Sequence, residues 1–209
     1  MLDKTVRNIV FDFGCVLVDL DKARCLEAFD RLGAHALAQY VNECRQEDLF
    51  RELELGHTTP EEFCNEARRK AHITATDQQL CDAWCALLVG IPVRRIQALL
   101  HLRHHYRLAV LSNTNIIHWK QAVDDFFPYR GMNVSDYFDH IFLSFEMHKT
   151  KPDRAIFEQM LHEADMEAGE TLFIDDSEAN CAAARSIGIH TLHVSHGDEW
   201  LDLLKDELK

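Results

Sequence analysis

Apolar residues along this chain recur with two different periods. Near the N-terminus, Ile9-Val10-Phe11 is an unbroken apolar run that stops at Asp12 and Gly14, the pattern of a buried parallel strand delivering a carboxylate into a turn. Comparable runs at 107–111, 140–143, 171–174 and 190–194 predict four more strands, and three of them end on Ser112-Asn113, Ser144 and Asp175-Asp176. Helical spacing fills most of the intervals. The stretch RRIQALLHLRHH leads into the second strand, RAIFEQMLHEA follows Lys151-Pro152-Asp153, and EANCAAARSI follows Ser177 and closes at Gly188. A last helix is expected around Trp200–Leu204, and Phe127 to Asp136 reads as a surface loop.

Residues from about 20 to about 90 carry helical spacing alone. One helix starts at Asp21 and ends before Gly33, and two more occupy roughly 34–45 and 46–55, the latter closed by Gly56. Thr59-Pro60-Glu61-Glu62 opens a fourth, with a capping threonine, proline at the first position and glutamate at the capping-box position. Asp77 to Val89 forms a fifth, stopping at Gly90, and no strand is expected in this region. The alternation elsewhere predicts an α/β fold: a Rossmann-like parallel sheet with helices on both faces and an inserted all-helical cap. The expected boundaries are a core domain of 1–17 and 92–209 and a cap of 18–91.

With 209 residues and 47% hydrophobic content, the chain can bury a substantial core. Its net charge of -13, without basic runs interleaved with aromatics, argues against a nucleic-acid partner. No segment approaches the ~18 uninterrupted apolar residues of a membrane span, and no leader pattern is seen, so a cytoplasmic location is expected. The seven cysteines are scattered without a Cys-x-x-Cys, which favours reduced, packed thiols.

In an open α/β sheet, ligands collect beyond the carboxyl ends of the strands. If the first and fourth strands are neighbours where the winding reverses, Asp12 faces Asp175 and Asp176 across a crevice. Clustered carboxylates repel one another, and a hard divalent cation, magnesium by its preference for oxygen ligands and water, relieves that repulsion. Ser112 and the backbone N–H groups around Asn113 are then placed to grip phosphoryl oxygens, and Lys151 to draw a dianion toward an anionic nucleophile. The implied chemistry is attack of Asp12 on phosphorus, with hydrolysis of the resulting aspartyl-phosphate by water.

FDFGCVLVD, LSNTN, KTKPDRAIF and LFIDDSEANCAAARSIGI resemble, in order and spacing, the four motifs of the haloacid dehalogenase-like (HAD) hydrolase superfamily. FRELELGHTTPEEF is similar to the small helical cap of the branch containing bacterial sugar-1-phosphate phosphatases and the N-terminal phosphatase domain of soluble epoxide hydrolase. The resemblance implies a magnesium-dependent phosphomonoesterase acting on a small phosphorylated metabolite, with Asp12 as nucleophile and Ser112 and Lys151 binding phosphate. Asp12, the Gly14 carbonyl and Asp176 would ligate the metal, with Asp175 a second ligand or an outer partner. Phosphatases of this superfamily usually carry a second aspartate, as general acid and base, where this chain has Gly14. Without that acid, a sugar 1-phosphate, whose anomeric leaving oxygen is less basic, is expected to react better than a 6-phosphate, unless Asp19, a cap residue or a metal-bound water supplies the proton. The alternatives are a 2-haloacid dehalogenase-like hydrolase, which needs no metal and no acidic pair, and a non-catalytic phosphate-binding protein.

Other polar positions read as structural. His101, His104 and His105 are expected on an exposed helix face, and His190, His193 and His196 near the surface of the last strand. Cys81 and Cys85 read as packing residues and Cys15 as a turn residue. Asp19 and Asp21 stand at the entry to the insert as helix caps, with Asp19 the one within plausible reach of substrate.

Overall fold

A computed structural model describes residues 4–42 and 49–208. The chain begins with β1 (Asn8–Phe11) and β2 (Asp19–Leu20), then runs through α1 (Lys22–Arg31), α2 (His35–Asn42), α3 (Leu49–Glu54), α4 (Pro60–Ala71) and α5 (Asp77–Cys85). Next come β3 (Leu88–Gly90), α6 (Val93–Leu102), β4 (Arg107–Ser112), α7 (Ile116–Asp125), β5 (His140–Leu143) and α8 (Ser144–Met147). It ends with α9 (Arg154–Glu163), β6 (Thr171–Asp175), α10 (Glu178–Arg185), β7 (His190–His193) and α11 (Glu199–Leu203).

Five strands form a parallel sheet in the order β5-β4-β1-β6-β7. The chain winds outward from β1 through β4 to β5, then crosses back to β6 and β7, so the winding reverses between β1 and β6, as expected. Strand pleating explains why both faces are apolar. Ile9, Phe11, Leu108, Val110, Leu172 and Ile174 enter one cluster with Trp200, Tyr137 and Phe127. The alternating residues Val10, Ala109, Leu111 and Phe173 enter another with Phe157 and Met160 of α9.

Helices α1 to α5 build a third cluster around Phe29, Leu53, Phe63, Leu80 and Trp84, joined from outside the insert by Ile117 of α7. The predicted capping box at Thr59 and Glu62 is present, and an equivalent one joins Thr76 to Gln79. The strandless reading of this region needs correction. β2 and β3 pair antiparallel where the chain enters and leaves the helices, with Asp21 N–H donating to the Leu87 carbonyl at 2.8 Å. The fifth helix therefore ends at Cys85 rather than Val89, because Leu88–Gly90 completes this ribbon. The expected helices at 34–45 and 46–55 are found as α2 and α3, and the parts falling on 43–48 lie outside the described residues. The stretch from Phe127 to Asp136 is more structured than a surface loop: Phe127 is fully buried, Tyr129 bridges Met132 and Val134–Asp136 forms a short 3-10 turn.

The end of α3 is docked on α8. Ser144 Oγ lies 2.7 Å from the Glu54 carbonyl, and His148 Nδ1 donates to the Leu55 carbonyl at 2.7 Å. Gly56 makes this approach possible. Its φ is +68°, and a Cβ there would stand 2.0 Å from the Phe145 carbonyl oxygen. Gly56→Ala is expected to cost more than about 1 kcal/mol, since backbone strain and a backbone clash add, and a lowered thermal midpoint at unchanged far-UV dichroism would register it. An unchanged midpoint would show that this junction does not contribute to stability.

Candidate active site

Each strand end named by the sequence does reach one edge of the sheet. Asp12 follows β1 directly, its backbone N–H donating to the Ile174 carbonyl of β6 at 2.8 Å. The turn after it is tied down from behind. Leu17 and Val18 donate to the Phe13 carbonyl, Trp200 Nε1 donates to the Val16 carbonyl, and the buried Arg95 donates to the Leu17 carbonyl. The same guanidinium pairs with Asp19 at 2.7 Å, and Asp19 is not among the described residues that line the crevice.

Lys151 lies at the centre of the cluster. Its ammonium, 1% exposed, donates to Asp12 and to Asp175 at 2.7 Å each and to the Leu111 carbonyl at 2.9 Å. Burial disfavours that charge, but the two carboxylates more than offset it and hold the Lys151 pKa above its ordinary value. The Asp12 pKa is raised as well, to about 7. Burial raises its pKa, Lys151 opposes the rise, and Asp175 adds to it.

The acidic pair divides into two environments. Asp175, fully buried, accepts from Lys151, from the Ser177 backbone N–H at 2.7 Å and from the Asn180 amide at 3.0 and 3.1 Å. Asp176 is exposed and lines the crevice. One carboxylate oxygen from each of Asp12, Asp175 and Asp176 lies within 4.8 Å of the others. An all-oxygen set of this charge fits a hard divalent cation that keeps part of its water.

Ser112, buried at the end of β4, lines the crevice with Gly14 and Asn113. The Asn113 side chain is engaged with the lysine segment: its carbonyl oxygen accepts from the Lys151 N–H at 2.8 Å and its amide donates to the Lys151 carbonyl at 2.9 Å. The sequence placed Asn113 at a phosphate; the residue lines the crevice while its side chain is held by the Lys151 backbone. Sequence reasoning missed Asn180, whose signal is its position in the first turn of the helix after the acidic pair. It also left 114–126 unassigned, although Asn115 caps α7 by accepting from the Ile117 and His118 N–H groups.

Above these residues lies a cavity of about 710 Å³. Gly14, Ser112, Asn113 and Asp176 form its floor, and Phe50, Trp84, Leu87 and Leu88 form most of the facing wall, with Lys22 and Glu54 the charged groups on the insert side. The Gly14 backbone lies outside the left-handed region, and a Cβ there would touch only Leu20 at 3.4 Å, so a larger residue is sterically admissible.

The discounted positions stay structural. His101 and His105 sit together on α6 and the loop after it, and His193 touches the site only by donating to the Asp176 carbonyl at 3.0 Å. The Cys15 thiol is pushed up to about 12 by burial and neighbouring carboxylates, which makes it a poor nucleophile. Cys64 and Cys81 pack with sulfurs 3.8 Å apart, and Cys85 donates to the Ile117 carbonyl.

Comparison with known proteins agrees with this geometry. The family model described as haloacid dehalogenase-like hydrolase matches residues 9–194. The chain belongs to this family. It is 31% identical over 195 residues to a D-ribitol-5-phosphate phosphatase of Bacteroides thetaiotaomicron, covering 93% of this chain and 95% of that protein. A HAD family enzyme of the same organism, crystallised with magnesium and inorganic phosphate, superposes with a TM-score of 0.91 at 38% identity, covering 95% of this chain and 98% of that one. A HAD-like hydrolase of Porphyromonas gingivalis gives 0.89 at 34% identity, covering 98% of both chains. An L-2-haloacid dehalogenase at 17% identity and TM-score 0.62 shares the fold alone. Among the described residues of this HAD hydrolase, no helix is long and apolar enough to cross a membrane.

Proposed function

We propose that this HAD hydrolase is a magnesium-dependent phosphomonoesterase acting on a small polyhydroxylated metabolite, a phosphorylated sugar or sugar alcohol. The observation that carries this reading is the carboxylate cluster of Asp12, Asp175 and Asp176, the first two bridged by Lys151, beneath a cavity lined in part by the insert. A dehalogenase attacking carbon has no use for the acidic pair. The named activity of the Bacteroides relative supports the phosphate ester, and about 710 Å³ is a volume suited to a small metabolite.

In this reading Asp12 is the nucleophile, and Lys151 and Ser112 hold the phosphoryl group with the Asn113 N–H. Asp12, Asp176 and the Gly14 carbonyl hold the cation, while Asp175, saturated by protein donors, positions Lys151. Magnesium supplies charge neutralisation at the phosphoryl oxygens. Asp12 forms a bond to phosphorus as the ester oxygen departs, and water then releases phosphate from Asp12. Residues 18–91 serve as a cap, pivoting on the β2–β3 ribbon and closing the α3 end onto α8. Its apolar wall excludes bulk water during the first step.

Chelation is expected to abolish phosphate release from an aryl phosphate, and added magnesium to restore it. A phosphate-release assay with EDTA followed by excess magnesium checks this, and activity indifferent to chelation would overturn the metal-dependent reading.

A further inference from the structure

The proposed reaction leaves one proton unassigned. Expelling a primary alkoxide generates a strongly basic oxygen, and protonating it in the transition state contributes roughly 10²- to 10⁴-fold. Gly14 has no side chain to do this, and Asp19 is paired with Arg95. The side chains that line the cavity are the candidates to supply it.

Asp176 belongs to the cation site. His118 is buried, donates from Nε2 to the Trp84 carbonyl at 3.1 Å, and has Nδ1 3.3 Å from the Asn115 amide. Burial holds its pKa down to about 4, so the ring carries no spare proton at neutral pH. Glu54 is the remaining acid on the insert side among the described residues lining the cavity. It closes α3, and its own backbone carbonyl is fixed 2.7 Å from Ser144 Oγ on α8, so the residue is carried to the site by the contact that docks the insert.

We propose that Glu54 is the proton donor to the leaving oxygen, a catalytic acid borne by the helical insert and absent from the core. The proposal rests on the phosphatase reading above. As Asp12 bonds to phosphorus, the bond from phosphorus to the ester oxygen breaks and that oxygen takes the Glu54 proton, leaving an alcohol and a carboxylate. Water then attacks phosphorus, gives its proton to Glu54, and phosphate leaves with both carboxyl groups restored. Burial pushes the Glu54 carboxyl up to about 7, against the lowering effect of Arg51 on the same helix, which matches a group that must hold and return a proton near neutrality. It shares the lining of the cavity with Lys22, His118 and Asp176. On α4, Glu66 and Lys70 line a separate groove with Glu52, and beyond α8 His148 is bound to the Leu55 carbonyl.

A proton donor in this place changes the expected substrate. With leaving-group basicity met by Glu54, the advantage that Gly14 alone would give to anomeric phosphates disappears, and phosphates of primary alcohols become competent substrates. The Bacteroides relative, named for ribitol 5-phosphate, acts on an ester of that type.

The test compares Glu54→Gln with the wild type, in magnesium and across pH, on p-nitrophenyl phosphate and on a primary alkyl phosphate that the wild type turns over, ribitol 5-phosphate first. The variant is expected to lose roughly 10²- to 10⁴-fold in kcat/KM, which reports the steps up to departure of the alcohol, on the alkyl ester and less than about 3-fold on the nitrophenyl ester, whose leaving group needs no proton. The fall in wild-type alkyl-ester kcat/KM above neutral pH should vanish in the variant, and Glu54→Asp should recover part of the loss. Equal losses on both esters, or no loss on either, would overturn the assignment. Failure of the wild type to release phosphate from both esters would instead overturn the phosphatase reading, and the proposal with it.

Discussion

Replacing Asp12 by asparagine is expected to reduce phosphate release by on the order of 10⁴-fold or more while leaving the fold intact. The amide matches the carboxylate in shape, and its oxygen can still accept the 2.7 Å hydrogen bond from Lys151, but it cannot attack phosphorus. Stability should move little in metal-free protein. Burial already disfavours an ionised Asp12, and the substitution removes one of the two negative charges around Lys151 while the other stays paired. The consequence for metal is opposite in sign. Magnesium is expected to raise the thermal midpoint of the wild type by mass action and to raise that of the variant less, since one ligand oxygen has lost its charge. Phosphate release and thermal melts with and without magnesium check both halves. Wild-type turnover in the asparagine variant would remove Asp12 from the role of nucleophile.

Much of this site was legible in the sequence because its parts are strand ends. An apolar run that stops on a polar residue marks both a buried strand and the point where the chain reaches the edge of the sheet, and Asp12, Ser112 and Asp175 are such points. What was not legible depends on pairings across long sequence separations. Asp175 and Asp176 are chemically identical neighbours. Strand pleating sends the first into contact with Lys151 and Asn180 and leaves the second exposed, and only the folded sheet says which way the pleat falls. Asn113 reads as a polar strand end, yet its side chain serves the Lys151 backbone, 38 residues away. The β2–β3 ribbon was hidden for another reason. Leu87-Leu88 continues the apolar face of α5, so local periodicity extends a helix that tertiary pairing with Leu20 ends. The cavity wall was hidden because Phe50 and Glu54 of α3 meet Trp84 of α5 only through the packing of helices distant in sequence.

Lys151→Met is expected to have the second largest effect, on activity and on stability together. Loss of a cation aimed at the transferring phosphoryl group should cost about 10²- to 10³-fold in kcat. Methionine fills much of the same volume, so the penalty in the fold is electrostatic: Asp12 and Asp175 lose the buried ammonium that both contact at 2.7 Å. Removing one partner of a buried ion pair costs about 3–5 kcal/mol, within the stability of a typical domain, so a folded but weakened variant is expected. Its pH dependence follows from Asp12. Burial raises that carboxyl in the folded state and Lys151 is the main influence lowering it, so without the lysine the folded pKa rises further above the unfolded value. Between those two values the folded variant binds more protons than the unfolded chain, and its stability therefore falls as pH rises through the window. In chelator, the deficit relative to wild type should be smaller at about pH 5 and larger at about pH 8. Denaturant titrations at both values measure it. A deficit of the same size at both would show that Lys151 is not what keeps Asp12 ionised, and with it would go the argument that this lysine prepares the nucleophile before substrate arrives.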